Sequence, residues 1–232
     1  MSDIAKRNAA EAALKLVEPG MVLGLGTGST AAIFVKLLAE QVKQGLDVVG
    51  APTSEATHRL ARDLGIRLVD PDDLDRIDLT VDGADEFDPQ LRLIKGGGAA
   101  LLREKIIADA SIRMAVIADK SKEVAQLGRF PLPIEVNPFA AELTRRRIHA
   151  TAQLLGMEEA TSAWRMATRE SRLHTDGGHL ILDLRCVVIP EPDELCEALD
   201  KIPGVVEHGL FIGYADMVIV GEDSGARVIE RG

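Results

Sequence analysis

The sequence predicts an α/β protein in which a mostly parallel sheet flanked by helices is joined to a smaller α+β unit. Three observations carry this. Apolar strand runs alternate with helical patterns over residues 1–120, a proline-rich stretch at 130–139 breaks that rhythm, and glycine-rich or acidic clusters sit where strands end. At 232 residues the chain exceeds an average domain of roughly 100–150 residues, which fits one large or two modest domains.

Taken in order, residues 1–20 interrupt their apolar positions with charge and read as an amphipathic helix, not a signal peptide. A short apolar run at 21–25 ends in glycines, and a helix follows over 30–44 with Gly45 placed to stop it. Residues 46–51 read as the next strand, 54–64 as a helix closed by Gly65, and 66–69 as a third strand. A fourth strand at 78–81, a strand-like 91–94, a helix at 99–110 and a fifth strand at 113–118 complete the first series. Strands interleaved with helices at this spacing imply right-handed βαβ crossovers and a Rossmann-like sheet. Ligands of such sheets gather beyond the carboxyl ends of the strands.

Past the prolines come a strand at 132–136, a helix at 140–155 closed by Gly156, and a strand near 163–166. The turn Asp176-Gly177-Gly178 leads into a strand at 179–184, followed by a helix at 193–201 and a strand at 204–207. That βαββαβ order is the ferredoxin-like arrangement, a small sheet with both helices on one face. The apolar tail at 215–220 is expected to return as a strand of the first sheet. The expected domains are thus 1–129 with 208–232, and 130–207.

Composition narrows the partners. An apolar share of 46% with 28% charged residues is that of a globule, not a disordered chain. No run approaches the roughly 18 apolar residues of a membrane span, so no membrane partner is expected. A net charge of −10 and only 3% aromatic residues disfavour nucleic acid, which needs a basic surface or a stacking platform. Cys186 and Cys196 lack Cys-x-x-Cys or Cys/His spacing and read as buried free thiols of a cytoplasmic protein, with neither zinc nor a disulfide. Any anion must therefore be held by backbone N–H groups and a few local cations, against the overall field.

Four clusters could do chemistry. In Gly24-Leu25-Gly26-Thr27-Gly28-Ser29-Thr30, glycines admit a ligand to the backbone while hydroxyls and a helix N-terminus offer hydrogen bonds to an anion. The bland alternative is a tight turn capped by Ser29 or Thr30. The loop lacks a P-loop lysine and its glycine spacing is not G-x-G-x-x-G. Asp82-Gly83-Ala84-Asp85-Glu86-Phe87-Asp88 puts four carboxylates in one short stretch, open to reading as a metal site, an acidic surface turn, or acceptors for a polyhydroxylated ligand. Lys95-Gly96-Gly97-Gly98 presents N–H donors and a cation to negative charge; the alternative is a flexible linker, which three glycines abutting a helix disfavour because ordering them costs entropy that close backbone approach would justify.

Glu104 is the fourth. Its helical neighbours at i±3 and i±4 are Ala100, Leu101, Ile107 and Ala108, an apolar face on which a carboxylate is out of place. Desolvation there favours the neutral acid and suits a general base; the alternative is a glutamate at the edge of that face reaching a cation elsewhere. Lys6, Lys120 and Lys122 are lesser candidates, Lys122 lying just past the fifth strand. The five histidines fall outside all four clusters.

Together, GTGST at 26–30, DGADE at 82–86, KGGGAALLREKIIA at 95–108 and ADKSK at 118–122 resemble ribose-5-phosphate isomerase of the A type. The resemblance continues through FPLPIEV at 130–136, TDGG at 175–178 and IPGVVEHGLF at 202–211. It implies interconversion of D-ribose 5-phosphate and D-ribulose 5-phosphate without metal or organic cofactor, by a homodimer or homotetramer. By the same resemblance Glu104 is the base that moves a proton between C2 and C1 through a cis-enediolate, and Lys95 with Gly96, Gly97 and Gly98 stabilises the developing oxygen. Asp82 is linked to opening the furanose ring, Asp85 to holding sugar hydroxyls, and Gly83 and Ala84 lie between them in the substrate set. Thr27, Gly28, Ser29 and Thr30 form the substrate loop, with Lys122 and Lys6 as cations for the phosphate. One departure is Ile212-Gly213-Tyr214-Ala215-Asp216, where the family often carries asparagine or arginine ahead of its Ala-Asp.

Two other classes compete. A non-catalytic sugar-phosphate sensor on a related fold would need a DNA-binding segment, and the stretch before the first strand is too short for a helix-turn-helix. A dinucleotide-dependent dehydrogenase would need the glycine fingerprint and an acidic ribose partner, which residues 48–51 do not supply.

Overall fold

The structure, a computed structural model, describes residues 3–231. The chain forms two compact units. One holds the residues up to Ala84, Arg103–Glu123 and those from Gly213 onward; the other holds Asp85–Leu102 and Val124–Ile212. This differs from the division expected at 129/130 and 207/208. The second unit also takes in 85–102, because β4 (Glu86–Phe87) and β5 (Leu93–Ile94) pair with β11 (Leu210–Phe211) in a three-stranded antiparallel sheet.

The first unit is built on a six-stranded sheet. Its strands are β1 (Val22–Leu25), β2 (Val49–Pro52), β3 (Leu79–Gly83), β6 (Met114–Asp119), β12 (Met217–Glu222) and β13 (Gly225–Glu230), in the order β13-β12-β6-β3-β1-β2. Every pairing is parallel except β12 with β13. Alternate strand residues face opposite sides. Leu23, Leu25, Leu79, Val81, Ala115 and Ile117 pack against the small-residue stripe Ala9, Ala10 and Ala13 of α1 (Asp3–Leu14) and against Phe34, Val35 and Leu38 of α2 (Ser29–Lys43). Ala61 of α3 (Glu55–Asp63) joins the same cluster. On the other side Ile107 of α4 (Leu101–Asp109) packs with Ala51 and Ile77.

Two expectations change here. Residues 66–69 make only one bridge, Gly50 with Leu68, beyond the edge strand β2, because Pro71 opens a 3-10 turn and ends the pairing. The tail returns beside β6 as expected, but then doubles back as β13, a hairpin strand absent from the sequence reading. No helix among the described residues is long and apolar enough to cross a membrane.

In the second unit β7 (Leu132–Val136), α5 (Ala141–Leu154), β8 (Thr161–Trp164), β9 (Leu180–Arg185), α6 (Pro192–Asp200) and β10 (Val205–His208) follow the βαββαβ order. Their antiparallel sheet runs β10-β7-β9-β8, and Ile134, Leu182, Ile148 and Leu195 meet in its apolar core.

Candidate functional site

In the first unit the carboxyl ends of three adjacent parallel strands carry predicted groups: the glycine loop follows β1, Asp82 is the last residue but one of β3, and Lys122 lies in a 3-10 turn directly after β6; Thr53 and Ser54 follow the neighbouring β2. Asp82 is fully buried, and its Oδ1 accepts the N–H groups of Thr27 at 3.0 Å and Gly83 at 2.7 Å. Gly26 makes this approach possible, since a Cβ there would lie 2.5 Å from the Asp82 Cα. The loop thus builds the seat of Asp82 before it meets any ligand.

The side chain of Thr27 is hydrogen-bonded within the protein. Its hydroxyl shares a hydrogen bond with Thr53 Oγ1 at 2.8 Å and donates to Ser54 Oγ at 2.8 Å. Thr57 closes the cluster by donating to the Gly26 carbonyl at 3.0 Å. Thr53, Ser54 and Thr57 were not among the sequence candidates; only their spacing after a strand hints at a hydroxyl cluster. Neither Ser29 nor Thr30 caps α2. Gly28 is the N-cap, with φ 118° and no side-chain cap, so the first-turn N–H groups are not taken by a capping side chain. Gly28 and Ser29 are exposed, Thr30 is half-buried, and Lys6 of α1 donates to Ser29 Oγ at 2.9 Å. An uncapped helix N-terminus with an adjacent ammonium suits a phosphate group.

Glu104 is 4% exposed, and Ala100, Leu101, Ile107 and Ala108 are all buried, as the helical spacing predicts. The register of α4 fixes its height. The Ile112 N–H donates to the Ile77 carbonyl, two residues ahead of β3, whereas Ile107 lies beside Gly24 in mid-sheet. The helix therefore runs antiparallel to the strands. Glu104, three residues earlier, sits about 4.5 Å closer than Ile107 to the strand carboxyl ends. Thr80, on the same sheet face as Asp82, bonds to Ser111 of the segment that closes α4. Asp82 and Glu104 thus share one side of the sheet and one end of it. Arg103 turns away to bond Glu55 at 2.9 Å, and that guanidinium holds the Glu55 carboxyl below its usual range. Lys105 is buried as well.

The four carboxylates of the acidic stretch separate by role. In the second unit Glu86 is fully buried and accepts the N–H groups of Gly128 at 2.8 Å and Phe130 at 2.6 Å. Asp88 accepts N–H groups from Gln90 and Arg92, both at 3.0 Å, and pairs with the Arg92 guanidinium at 2.7 Å. Both hold backbone N–H groups of the second unit in place. Gly83 and Ala84, half-buried, connect these two along the chain.

Asp85 reaches the triple-glycine loop, accepting the Gly97 N–H on Oδ2 at 2.7 Å; a Cβ at Gly97 would lie 2.5 Å from Oδ1. Lys95 is 2% exposed, its backbone N–H donating to the Gly209 carbonyl at 2.9 Å and its ammonium 5.4 Å from the centroid of the Phe211 ring. Gly96 is buried; Gly97 and Gly98 are exposed. Arg165, just past β8, donates to the carbonyls of Gly96 at 2.8 Å and Gly97 at 3.1 Å and pairs with Asp183 of β9. Nothing in the sequence marks it, because its partners lie 18 and 69 positions away.

Asp216, in the stretch that departs from the family pattern, accepts the Met114 N–H at 2.7 Å and so anchors the start of β12 beside β6. The thiols are free, and burial pushes Cys186 up to about 12. Cys196 and Asp200, one turn apart on α6, come within 4.8 Å of His208. His208 Nδ1 accepts the Leu210 N–H at 3.3 Å, which assigns its proton to Nε2, donated to Asp200 at 3.1 Å. A metal at Nε2 would have to displace that proton, so the group reads as a satisfied buried histidine.

A family model described as ribose 5-phosphate isomerase A (phosphoriboisomerase A) matches residues 49–225. The ribose-5-phosphate isomerase A of Nitrobacter hamburgensis is 56% identical over 233 residues, spanning 99% of this chain and 98% of that protein. A solved D-ribose-5-phosphate isomerase in complex with phospho-erythronic acid is 42% identical, with a TM-score of 0.91 and full coverage of both chains. The ribose 5-phosphate isomerase of Plasmodium falciparum is 32% identical, with a TM-score of 0.92 and 99% of each chain covered.

Proposed function

The chain belongs to the ribose 5-phosphate isomerase A family and is an aldose–ketose isomerase; we propose that it interconverts D-ribose 5-phosphate and D-ribulose 5-phosphate through a cis-enediolate, with Glu104 as the general base. The observation that carries this is the near-complete burial of Glu104 on an apolar helical face, on the same side of the sheet as the buried Asp82. A carboxylate there is shielded from bulk water and fixed by the packing of its helix, as a general base must be. It takes the proton from C2 of the open-chain aldose and returns it to C1, while the electron pair of the broken C–H bond passes into the enediolate. The Lys95 ammonium and the glycine N–H groups are assigned to the oxygen that gains charge, an arrangement whose dipoles are set before reaction.

Asp82, oriented by two backbone donors, is assigned to opening the ring and moving hydroxyl protons, and Asp85 to the sugar hydroxyls. For the phosphate the uncapped N-terminus of α2, with Ser29, Thr30, Lys6 and Lys122, supplies donors and positive charge where the net field of −10 does not. That a relative is solved with phospho-erythronic acid, itself a phosphorylated sugar acid, supports a ligand of this class. The reaction belongs to the pentose phosphate pathway, in the cytoplasm, and a homodimer or homotetramer is the expected assembly.

The direct test is a coupled assay of ribulose 5-phosphate formation from ribose 5-phosphate with purified protein after exhaustive EDTA treatment. Full activity is expected; loss restored by Mg²⁺ or Mn²⁺ would replace this mechanism with a metal-assisted one. For the phosphate, Lys122→Ala is expected to raise KM roughly tenfold, the loss of one charge-assisted bond, with kcat nearly constant. An unchanged KM would remove Lys122 from phosphate binding.

A further inference from the structure

We propose that Arg165 is a positioning residue, which by holding the Gly96 and Gly97 carbonyls turns the Gly98 N–H outward as a fixed donor for the developing oxyanion. The inference rests on the isomerase reading above and adds a group to its machinery. It starts from the peptide unit. In a planar trans peptide the C=O and the following N–H point in opposite directions. Fixing the Gly96 carbonyl therefore fixes the Gly97 N–H, and fixing the Gly97 carbonyl fixes the Gly98 N–H.

Both consequences are visible. The Gly97 N–H points at Asp85 Oδ2, 2.7 Å away. The Gly98 N–H donates to no acceptor among the described residues, and Gly98 is exposed. Glycine without such restraint would sample both signs of φ and scatter these dipoles. Arg165 and Asp85 thus hold consecutive peptides from opposite sides and leave one donor for a ligand.

Arg165 is itself rigidly held. Its N–H donates to the Ile181 carbonyl at 2.8 Å, and its carbonyl accepts the Leu173 N–H at 2.8 Å. Its Nε donates to Asp183 Oδ2 at 3.0 Å and Nη2 to Asp183 Oδ1, which leaves both Nη1 protons for the two carbonyls. A planar fork with five donors serves both carbonyls and both carboxylate oxygens at once, whereas a lysine has three donors for these four acceptors. Both side chains are largely shielded, at 17% and 19% exposure, so the pair is only weakly screened by solvent.

The test compares Arg165→Met, Arg165→Lys and Asp183→Asn in the full-length enzyme by steady-state kinetics and by hydrogen exchange of the peptide carrying residues 95–100. Arg165→Met is expected to lower kcat by at least roughly tenfold with KM within about threefold, the pattern of a donor that acts mainly in the transition state. Arg165→Lys recovers part of the loss, and Asp183→Asn gives a smaller fall of the same kind. Exchange of residues 95–100 accelerates in Arg165→Met while the β7–β9 ladder keeps its protection. Unchanged kcat, or a fall accompanied by equal loss of ladder protection, overturns the assignment. Failure of the isomerase mechanism is separable: it would appear as normal turnover in Glu104→Gln, whereas the exchange readout needs no catalysis.

Discussion

Glu104→Gln is expected to lower kcat by at least about a hundredfold, the lower range for a lost general base, with KM nearly unchanged. The substitution keeps size and shape, so α4 and its packing against Ala51 and Ile77 should persist. A second readout isolates the proton. In heavy water the wild-type enzyme should place solvent deuterium on the carbons it interconverts, and Glu104→Gln should lose that exchange in parallel with turnover. Near-normal turnover, or exchange that survives while turnover falls, would take the base role from Glu104 and pass it to Asp82, which is equally buried at the same end of the sheet.

Local physics decided how much of this was legible in the sequence. Helix stops at Gly45, Gly65 and Gly156 read correctly because the signal lies within one residue of its consequence; all three take positive φ. The buried face of α4 read correctly because i±3 and i±4 neighbours determine it. The strand expected at 66–69 did not form as one, since its apolar residues sit beyond the sheet edge and find a ladder partner only at Gly50. β13 alternates half-buried and exposed residues, a weak pattern that an edge strand permits and that the sequence alone does not separate from a loop.

The site was legible by type and less so by role. The glycine loop marked Thr27 as a ligand contact, but nothing local shows that its hydroxyl also bonds Thr53, Ser54 and Thr57, 26 to 30 positions away. Arg165 left no trace, since a guanidinium acting on carbonyls needs no motif, only a fold that delivers it. The boundary of the second unit moved for a similar reason: the pairing of Leu93–Ile94 with Leu210–Phe211 is long-range and carries no local mark.

The acidic stretch gives the sharpest contrast between structure and chemistry among neighbouring carboxylates. Glu86→Ala is expected to cost about 3 kcal/mol of stability, since it orphans two backbone N–H groups at roughly 1–3 kcal/mol each. Those donors belong to Gly128 and Phe130, on the segment leading into β7, so the loss falls on the fold of the second unit. Glu86→Gln should cost less but not nothing. Its amide keeps one acceptor oxygen and sets an NH₂ donor against the other N–H. Asp85→Asn has the opposite profile. The amide oxygen still accepts the Gly97 N–H, so stability is held while turnover falls, because a carboxylate assigned to sugar hydroxyls has become a weaker acceptor. Urea denaturation and kinetics measured well below the unfolding transition separate the two. If Glu86→Ala lost turnover at full stability, the division of this stretch into anchors and ligand groups would be wrong, and the chemistry would extend further into the second unit than its hydrogen bonds indicate.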